Sequence, residues 1–152
     1  MSRLYGEVQQ VAYFVTNLDE TLRYWTQDLG IGPFFVFRKV TMDSNYRYRG
    51  RPSPPPTLSV ALGYSGGVQI EIIEQHDQNP SAYRDETGAG KTGFHHLAAI
   101  VTREKYDEAM AEATRKRLPL LHEGTFMDGA IRFAYFDTDP GNRYGGMVFE
   151  IT

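Results

Sequence analysis

The sequence predicts an α+β protein in which two βαβββ modules form one cupped mixed sheet. Three observations carry that expectation: an internal repeat, a helical stretch after the first strand of each copy, and three strand-like runs completing each copy. Residues 8–16 (VQQVAYFVT) line up with residues 94–102 (FHHLAAIVT) at an offset of 86, and residues 66–72 (GGVQIEI) with residues 145–151 (GGMVFEI) at an offset of 79. Two matches in the same order point to duplication rather than to a chance likeness of apolar strands. The first copy then carries 7 extra residues between its matching segments, and the proline-rich stretch 49–57 (RGRPSPPPT) is read as the surface loop that holds them.

In the first copy a strand through residues 8–16 leads to Asn17, a plausible helix N-cap with Glu20 three positions on. Leu18, Leu22, Trp25 and Leu29 then recur at helical spacing until Gly30 stops the helix. Strands are expected over 34–41, 57–64 and 68–74. In the second copy Thr102 caps a helix with Tyr106, Ala109, Met110 and Ala113 on its apolar stripe, and strands are expected over 118–125, 131–137 and 147–152. Module one thus runs over about residues 6–75 and module two over about 93–152. The polar, glycine-bearing stretch 76–92 suits a linker better than a packed element. One domain of 1–152 is expected from the length.

Composition narrows the function. With 41% hydrophobic and 23% charged residues the chain reads as an ordinary globular domain. Its 16 Lys+Arg are scattered and outnumbered by 19 Asp+Glu, which argues against a nucleic-acid partner. The absence of cysteine excludes disulfides, thiolate metal sites and a cysteine nucleophile. No apolar run approaches a membrane span and the start lacks a secretory pattern, so the expected compartment is the cytoplasm, with no membrane partner.

Strand alternation supplies the candidate site. Gln10, Ala12 and Phe14 share one face of the first strand, and His96, Ala98 and Ile100 share the equivalent face of its repeat. Ile70, Ile72, Phe149 and Ile151 suit the faces that pack under the helices, which leaves Glu71 and Glu150 on the face of Gln10 and His96. A merely solvent-exposed sheet face would explain any one of these polar residues. All four occupy symmetry-equivalent places, however, so a pseudo-two-fold would gather Gln10, Glu71, His96 and Glu150 at one centre, with small Ala12 and Ala98 leaving room for a cavity. One imidazole, two carboxylates and an amide oxygen suit a divalent ion such as Zn, Co, Ni, Mn or Fe(II). His95 is expected on the opposite face as a hydrogen-bonded structural histidine. His76 and His122 are expected to be solvated.

Duplicated βαβββ modules with ligand-type residues on the first and last strand of each resemble the vicinal oxygen chelate superfamily, which includes glyoxalase I, methylmalonyl-CoA epimerase, extradiol dioxygenases and bleomycin-resistance proteins. The resemblance rests on Gln9-Gln10-Val11-Ala12, on residues 17–20 leading to Asp28-Leu29-Gly30, on Gln69-Ile70-Glu71-Ile72, on residues 93–97 and on Val148-Phe149-Glu150-Ile151. It implies a glyoxalase-like fold with Gln10, Glu71, His96 and Glu150 as metal ligands, a set similar to that of glyoxalase I. It implies an enzyme that stabilises the enolate of a small carbonyl substrate, an isomerase, epimerase or lyase, with a homodimeric assembly. Gln10 stands where ring-cleaving members carry histidine, which argues against oxygen-activating chemistry. Of the two carboxylates, Glu150 is expected to be the catalytic base and Glu71 the next choice, because Glu150 ends the last strand beside the Gly145-Gly146 turn and its place looks like that of the base in related enzymes. The alternative is a protein of the same fold that binds an aromatic molecule or antibiotic without turnover.

Overall fold

The computed structural model describes residues 5–84, 92–141, 143–144 and 147–152. Two modules are joined through their first strands into a ten-stranded sheet of order β2-β5-β6-β1-β7-β10-β9-β8-β3-β4. Module one contributes β1 (Gln10–Phe14), α1 (Leu18–Arg23), β2 (Phe34–Thr41), β5 (Thr57–Ser65) and β6 (Val68–Gln75). Module two contributes β7 (Gly93–Ala99), α2 (Arg103–Arg115), β8 (Leu120–Phe126), β9 (Ile131–Asp137) and β10 (Val148–Ile151). In each module the first and last strands pair in parallel, β1 with β6 and β7 with β10, and β1 meets β7 antiparallel at the centre. The α+β class and the repeated module match the sequence expectation. Among the described residues no helix is long and apolar enough to cross a membrane.

The helices form where their caps predict. The Asn17 side chain accepts from the Glu20 amide at 3.1 Å, and the Leu18 amide donates to Glu74 Oε2 at 3.0 Å. Helix α1 ends sooner than Gly30: it passes at Tyr24 into a π-helical turn over Tyr24–Asp28. It covers one outer face of the sheet, where Leu18 packs with Val15, Ala61, Ile70 and Ile72. Helix α2 covers the other, with Tyr106, Ala109 and Ala113 against Ala99, Ala134, Phe136, Phe149 and Ile151. The inner face of the cup holds a third cluster built on Phe14, Tyr46, Leu58, Tyr83, Phe133 and Tyr135.

Two expectations are corrected. The proline-rich stretch is part of a strap that crosses from module one to the edge of module two. Within residues 42–56, β3 (Arg47–Tyr48) pairs with β8 and β4 (Arg51–Pro52) pairs with β3. Tyr46 in the strap is buried, its hydroxyl 2.9 Å from the Pro80 carbonyl oxygen and 3.0 Å from His122 Nδ1. The segment read as a linker is also packed at its start, where Ser81, Ala82 and Tyr83 are buried around the 3-10 turn Ala82–Arg84. Its residues 85–91 lie outside the described residues.

Candidate metal centre

The site follows from cross-strand register. Glu71 and His96 both stand opposite Ala12, on either side of it, while Gln10 and Glu150 flank Ala98 in the same way. Each row thus places a methyl group between two long polar side chains, which lean inward over it; both alanines are fully buried. The result is a ring of three oxygens around one nitrogen, all from a single chain. His96 Nε2 lies 3.0 Å from Glu150 Oε2, 3.4 Å from Glu71 Oε2 and 3.3 Å from Gln10 Oε1. The ligand-type atoms of Glu71, His96 and Glu150 all lie within 4.8 Å of one another.

His95 fixes the tautomer of His96. The Ala82 carbonyl can only accept, so His95 Nε2 donates to it at 3.0 Å, and the lone pair on His95 Nδ1 then accepts from His96 Nδ1–H at 2.8 Å. His96 Nε2 is left pointing at the three oxygens, the arrangement that a metal-ligating histidine needs. This corrects the expectation that His95 faces away. Ala12 pairs with His96 but Tyr13 pairs with Phe94, so His95 is the extra residue of a β-bulge. A bulge breaks the alternation of faces and turns both imidazoles inward. Gln69 performs the matching task for Gln10. Its Oε1 accepts from Gln10 Nε2 at 2.8 Å while its own amide donates to the Tyr64 hydroxyl at 2.8 Å, which turns Gln10 Oε1 toward the site. Sequence reasoning missed Gln69, although alternation along β6 puts it on the face of Glu71.

A nitrogen lone pair facing carboxylate oxygens at these distances needs a cation between them, either a proton or a metal. Without metal the proton wins: burial opposes charge on His96, but the carboxylates of Glu150 and Glu71 beside its Nε2 outweigh it and lift the imidazole to about 9. Burial raises the Glu71 carboxyl, with Glu150 adding to the effect against the opposing pull of His96. Glu71 Oε2 is buried and makes no hydrogen bond within the protein. That orphaned oxygen, and a donor set of one imidazole, two carboxylates and an amide, fit a divalent ion.

Above the ring opens a cleft of about 880 Å³. Gln10, Gln69, Glu71 and Glu150 lie in its wall with Tyr83 and Tyr135, whose hydroxyls are 3.1 Å apart. The family model of the Glyoxalase/Bleomycin resistance protein/Dioxygenase superfamily matches residues 9–136. The chain belongs to that superfamily. Solved structures with the superfamily's fold include a hypothetical protein of Bacillus halodurans, at TM-score 0.60 and 16% identity, covering 95% of this chain and 91% of that one. A methylmalonyl-CoA epimerase variant of Streptomyces coelicolor in complex with 2-nitronate-propionyl-CoA gives TM-score 0.58 and 14% identity over 97% of this chain and 93% of that one. The methylmalonyl-CoA epimerase of Mycobacterium tuberculosis gives 0.56 and 14% over 99% and 89%. No curated protein sequence matches significantly.

The remaining histidines are not as expected. His122 is fully buried rather than solvated, because β8 carries its own irregularity between Leu120 and His122 that turns both Leu121 and His122 to the inner cluster. Its Nδ1 accepts from the Ala82 amide at 3.3 Å, and its Nε2 makes no hydrogen bond. His76 has a partner, Ser59 Oγ at 2.7 Å, and Glu74 within 3.8 Å.

These buried rings predict acid sensitivity. Burial, with the imidazoles of His95 and His96 nearby, holds His122 well below 6.5; burial, with His96, lowers His95 to about 3. Both stay neutral in the fold while the unfolded chain takes up protons below about 6.5. Their contribution is therefore complete above about pH 6.5 and is lost as pH falls toward the folded values, by up to about 1.4 kcal/mol per pH unit for each histidine. His96 has the opposite sign, but its contribution is already complete below 6.5 and does not change in this window. Urea midpoints should fall between pH 7 and pH 5, and His122→Phe should flatten part of that fall. An unchanged slope in the variant would assign the effect elsewhere.

Proposed function

We propose that this protein is a divalent-metal-dependent enzyme that moves a proton at the carbon beside a carbonyl group, an isomerase, epimerase or lyase acting through an enolate. The observation that carries the proposal is the convergence of Gln10, Glu71 and Glu150 oxygens on His96 Nε2 at the floor of an open cleft. These four residues would hold the ion. When bound, it would supply Lewis-acid polarisation to two neighbouring substrate oxygens. Glu150 takes the proton from the substrate carbon and returns it, with Glu71 the alternative carrier. Gln69 and His95 keep the Gln10 and His96 donors aimed inward. Gln10 in a site with a single inward-facing imidazole nitrogen disfavours ring cleavage. The methylmalonyl-CoA epimerases of the same fold make proton transfer beside a thioester carbonyl one version of this chemistry.

The test is deuterium exchange. A panel of carbonyl compounds in heavy water, followed by NMR, should show exchange of an acidic C–H that depends on added Mn, Co, Ni, Zn or Fe(II). The second reading, a protein that binds an aromatic molecule without turnover, is favoured by the apolar walls of the cleft. Ligand binding with no exchange under any metal would select it.

We also propose a homodimer. Edge strand β2 exposes Phe35 at 72% and Val36 at 38%, an apolar, unpaired edge that a second copy would cover. Light scattering should return a dimer at micromolar concentration, and Phe35→Lys should shift it toward monomer. A clean wild-type monomer would remove the proposal.

A further inference from the structure

The walls of the cleft say which group accompanies the reacting carbonyl. Module one supplies Phe37, Val60 and Leu62, and module two supplies Phe126, Ile131 and Phe133. Phe37 and Ile131 are 50% and 44% exposed, so apolar surface rims the mouth as well as lining the interior. Apolar surface left open to water directly above a polar floor is the signature of a seat for an apolar ligand group. Phe126 and Phe133 meet with ring centroids 5.2 Å apart and tilted by 42°, and Phe133 meets Tyr135 edge-on, so the module-two wall is aromatic down to the ring that touches His96.

Carboxylates outnumber cations in the same wall. Among the described lining residues the cationic side chains are Lys39, Arg103 and Arg132, and Arg132 is committed, with Nη1 2.8 Å from Asp107 Oδ1 and its guanidinium 4.1 Å over the Tyr106 ring. The lining also includes the acidic Asp43 and Asp128. Asp43 is held by the Gly129 and Asp128 amides and by the Thr125 hydroxyl. A ligand rich in phosphate would need clustered donors, and these walls offer hydrocarbon instead.

We infer that the substrate carries a flat aromatic group, seated between Phe37 on one wall and Phe126, Ile131 and Phe133 on the other, beside a carbonyl that faces Glu71 and Glu150, rather than a phosphate-bearing carrier such as a coenzyme A thioester. The inference deepens the proposed function and rests on it for the orientation of the carbonyl. The reaction balances without a co-reactant: the C–H bond on the carbon beside the carbonyl breaks, the proton passes to the carboxylate, and a proton or deuteron returns to the same carbon.

The experiment uses the cobalt-loaded full chain and three probes: 2-hydroxyacetophenone, hydroxyacetone, which keeps the same pair of oxygens but replaces the ring by methyl, and methylmalonyl-CoA. Calorimetry should show the aryl ketone binding at least about tenfold tighter than hydroxyacetone, as expected for several buried apolar carbons. Phe37→Ser and Ile131→Ser, at half-exposed positions, should each shrink that ratio while cobalt binding and melting temperature confirm a folded protein. Equal affinity for the two ketones, or tighter binding of methylmalonyl-CoA than of the aryl ketone, would overturn the inference. Exchange in heavy water, read on the same samples, separates the two layers. An aryl preference without metal-dependent exchange keeps the aromatic seat and removes the enzyme reading. Exchange of methylmalonyl-CoA without an aryl preference keeps the enzyme and removes the aromatic seat.

Discussion

Chelation should lower the melting temperature of the protein by several degrees, and His96→Ala should abolish that response. An ion that binds only the folded chain adds about 2.7 kcal/mol when present at a hundred times its dissociation constant. For a domain of this size that corresponds to roughly 5–10 °C. The variant loses more than a ligand. His96 Nε2 is the group on which Gln10, Glu71 and Glu150 converge, and without metal its charge balances two buried carboxylates. Its removal leaves those carboxylates facing each other in a buried site, a situation that costs about 3–5 kcal/mol when one partner of a buried ion pair is deleted. His96→Ala should therefore melt below the chelated wild type and gain nothing from added metal. Calorimetric melting of both proteins, with chelator and after metal is restored, measures each part. A wild-type protein that purifies without metal and melts at the same temperature when metal is added would refute the site.

How much of this was legible in the sequence depends on whether alternation holds. Where strands run regularly, reading every second residue was sufficient. Gln10, Ala12, Glu71, Ala98 and Glu150 lie on the inner face as the repeat implies, and the paired rows around Ala12 and Ala98 are the pseudo-two-fold made visible. Where a strand carries one extra residue, the period of two breaks and the reading fails beyond that point. The bulge at His95 turned a residue expected on the outside into the partner that sets the His96 tautomer, and the irregularity before His122 buried a histidine expected in solvent. Nothing local in the residues of those strands announces a bulge, because it is set by pairing with a distant neighbour. The strap over residues 42–56 was illegible for the same reason. Its proline and arginine content reads as loop, while its place is fixed by Tyr46 reaching His122 across a separation of 76 residues. Gln69 was legible in principle, two positions before Glu71, but its task is visible only once its amide is seen to hold that of Gln10.

Glu150→Gln should keep the metal and lose catalysis. One of the two sequence reasons for preferring Glu150, the Gly145-Gly146 turn, lies outside the described residues. The fold supplies another. Glu71 lies in the middle of β6, a strand of eight residues paired along its length with β5 and through Glu71 with β1. Glu150 is also paired on both sides, with β7 and β9, but β10 has only four residues and Glu150 lies one position before the strand ends. A carboxylate that must shift to move a proton is better carried near the end of the shorter ladder, while Glu71 in the middle of the longer one suits a fixed position. Glutamine retains the shape and one oxygen donor but has no basicity in the relevant range, so the variant separates holding the ion from moving the proton. Metal content should remain measurable, and exchange of the substrate's acidic hydrogen with heavy water should fall by about 10²–10⁴, the usual worth of a positioned general base. Glu71→Gln should weaken metal binding more and slow exchange less once metal is saturating. Gln10→Glu, which adds a third negative charge to the ring, should change which divalent ion is preferred rather than the rate of proton transfer. If metal-loaded Glu150→Gln exchanges as fast as the wild type while Glu71→Gln does not, the base is Glu71, and the shorter strand is simply where the ring of ligands closes.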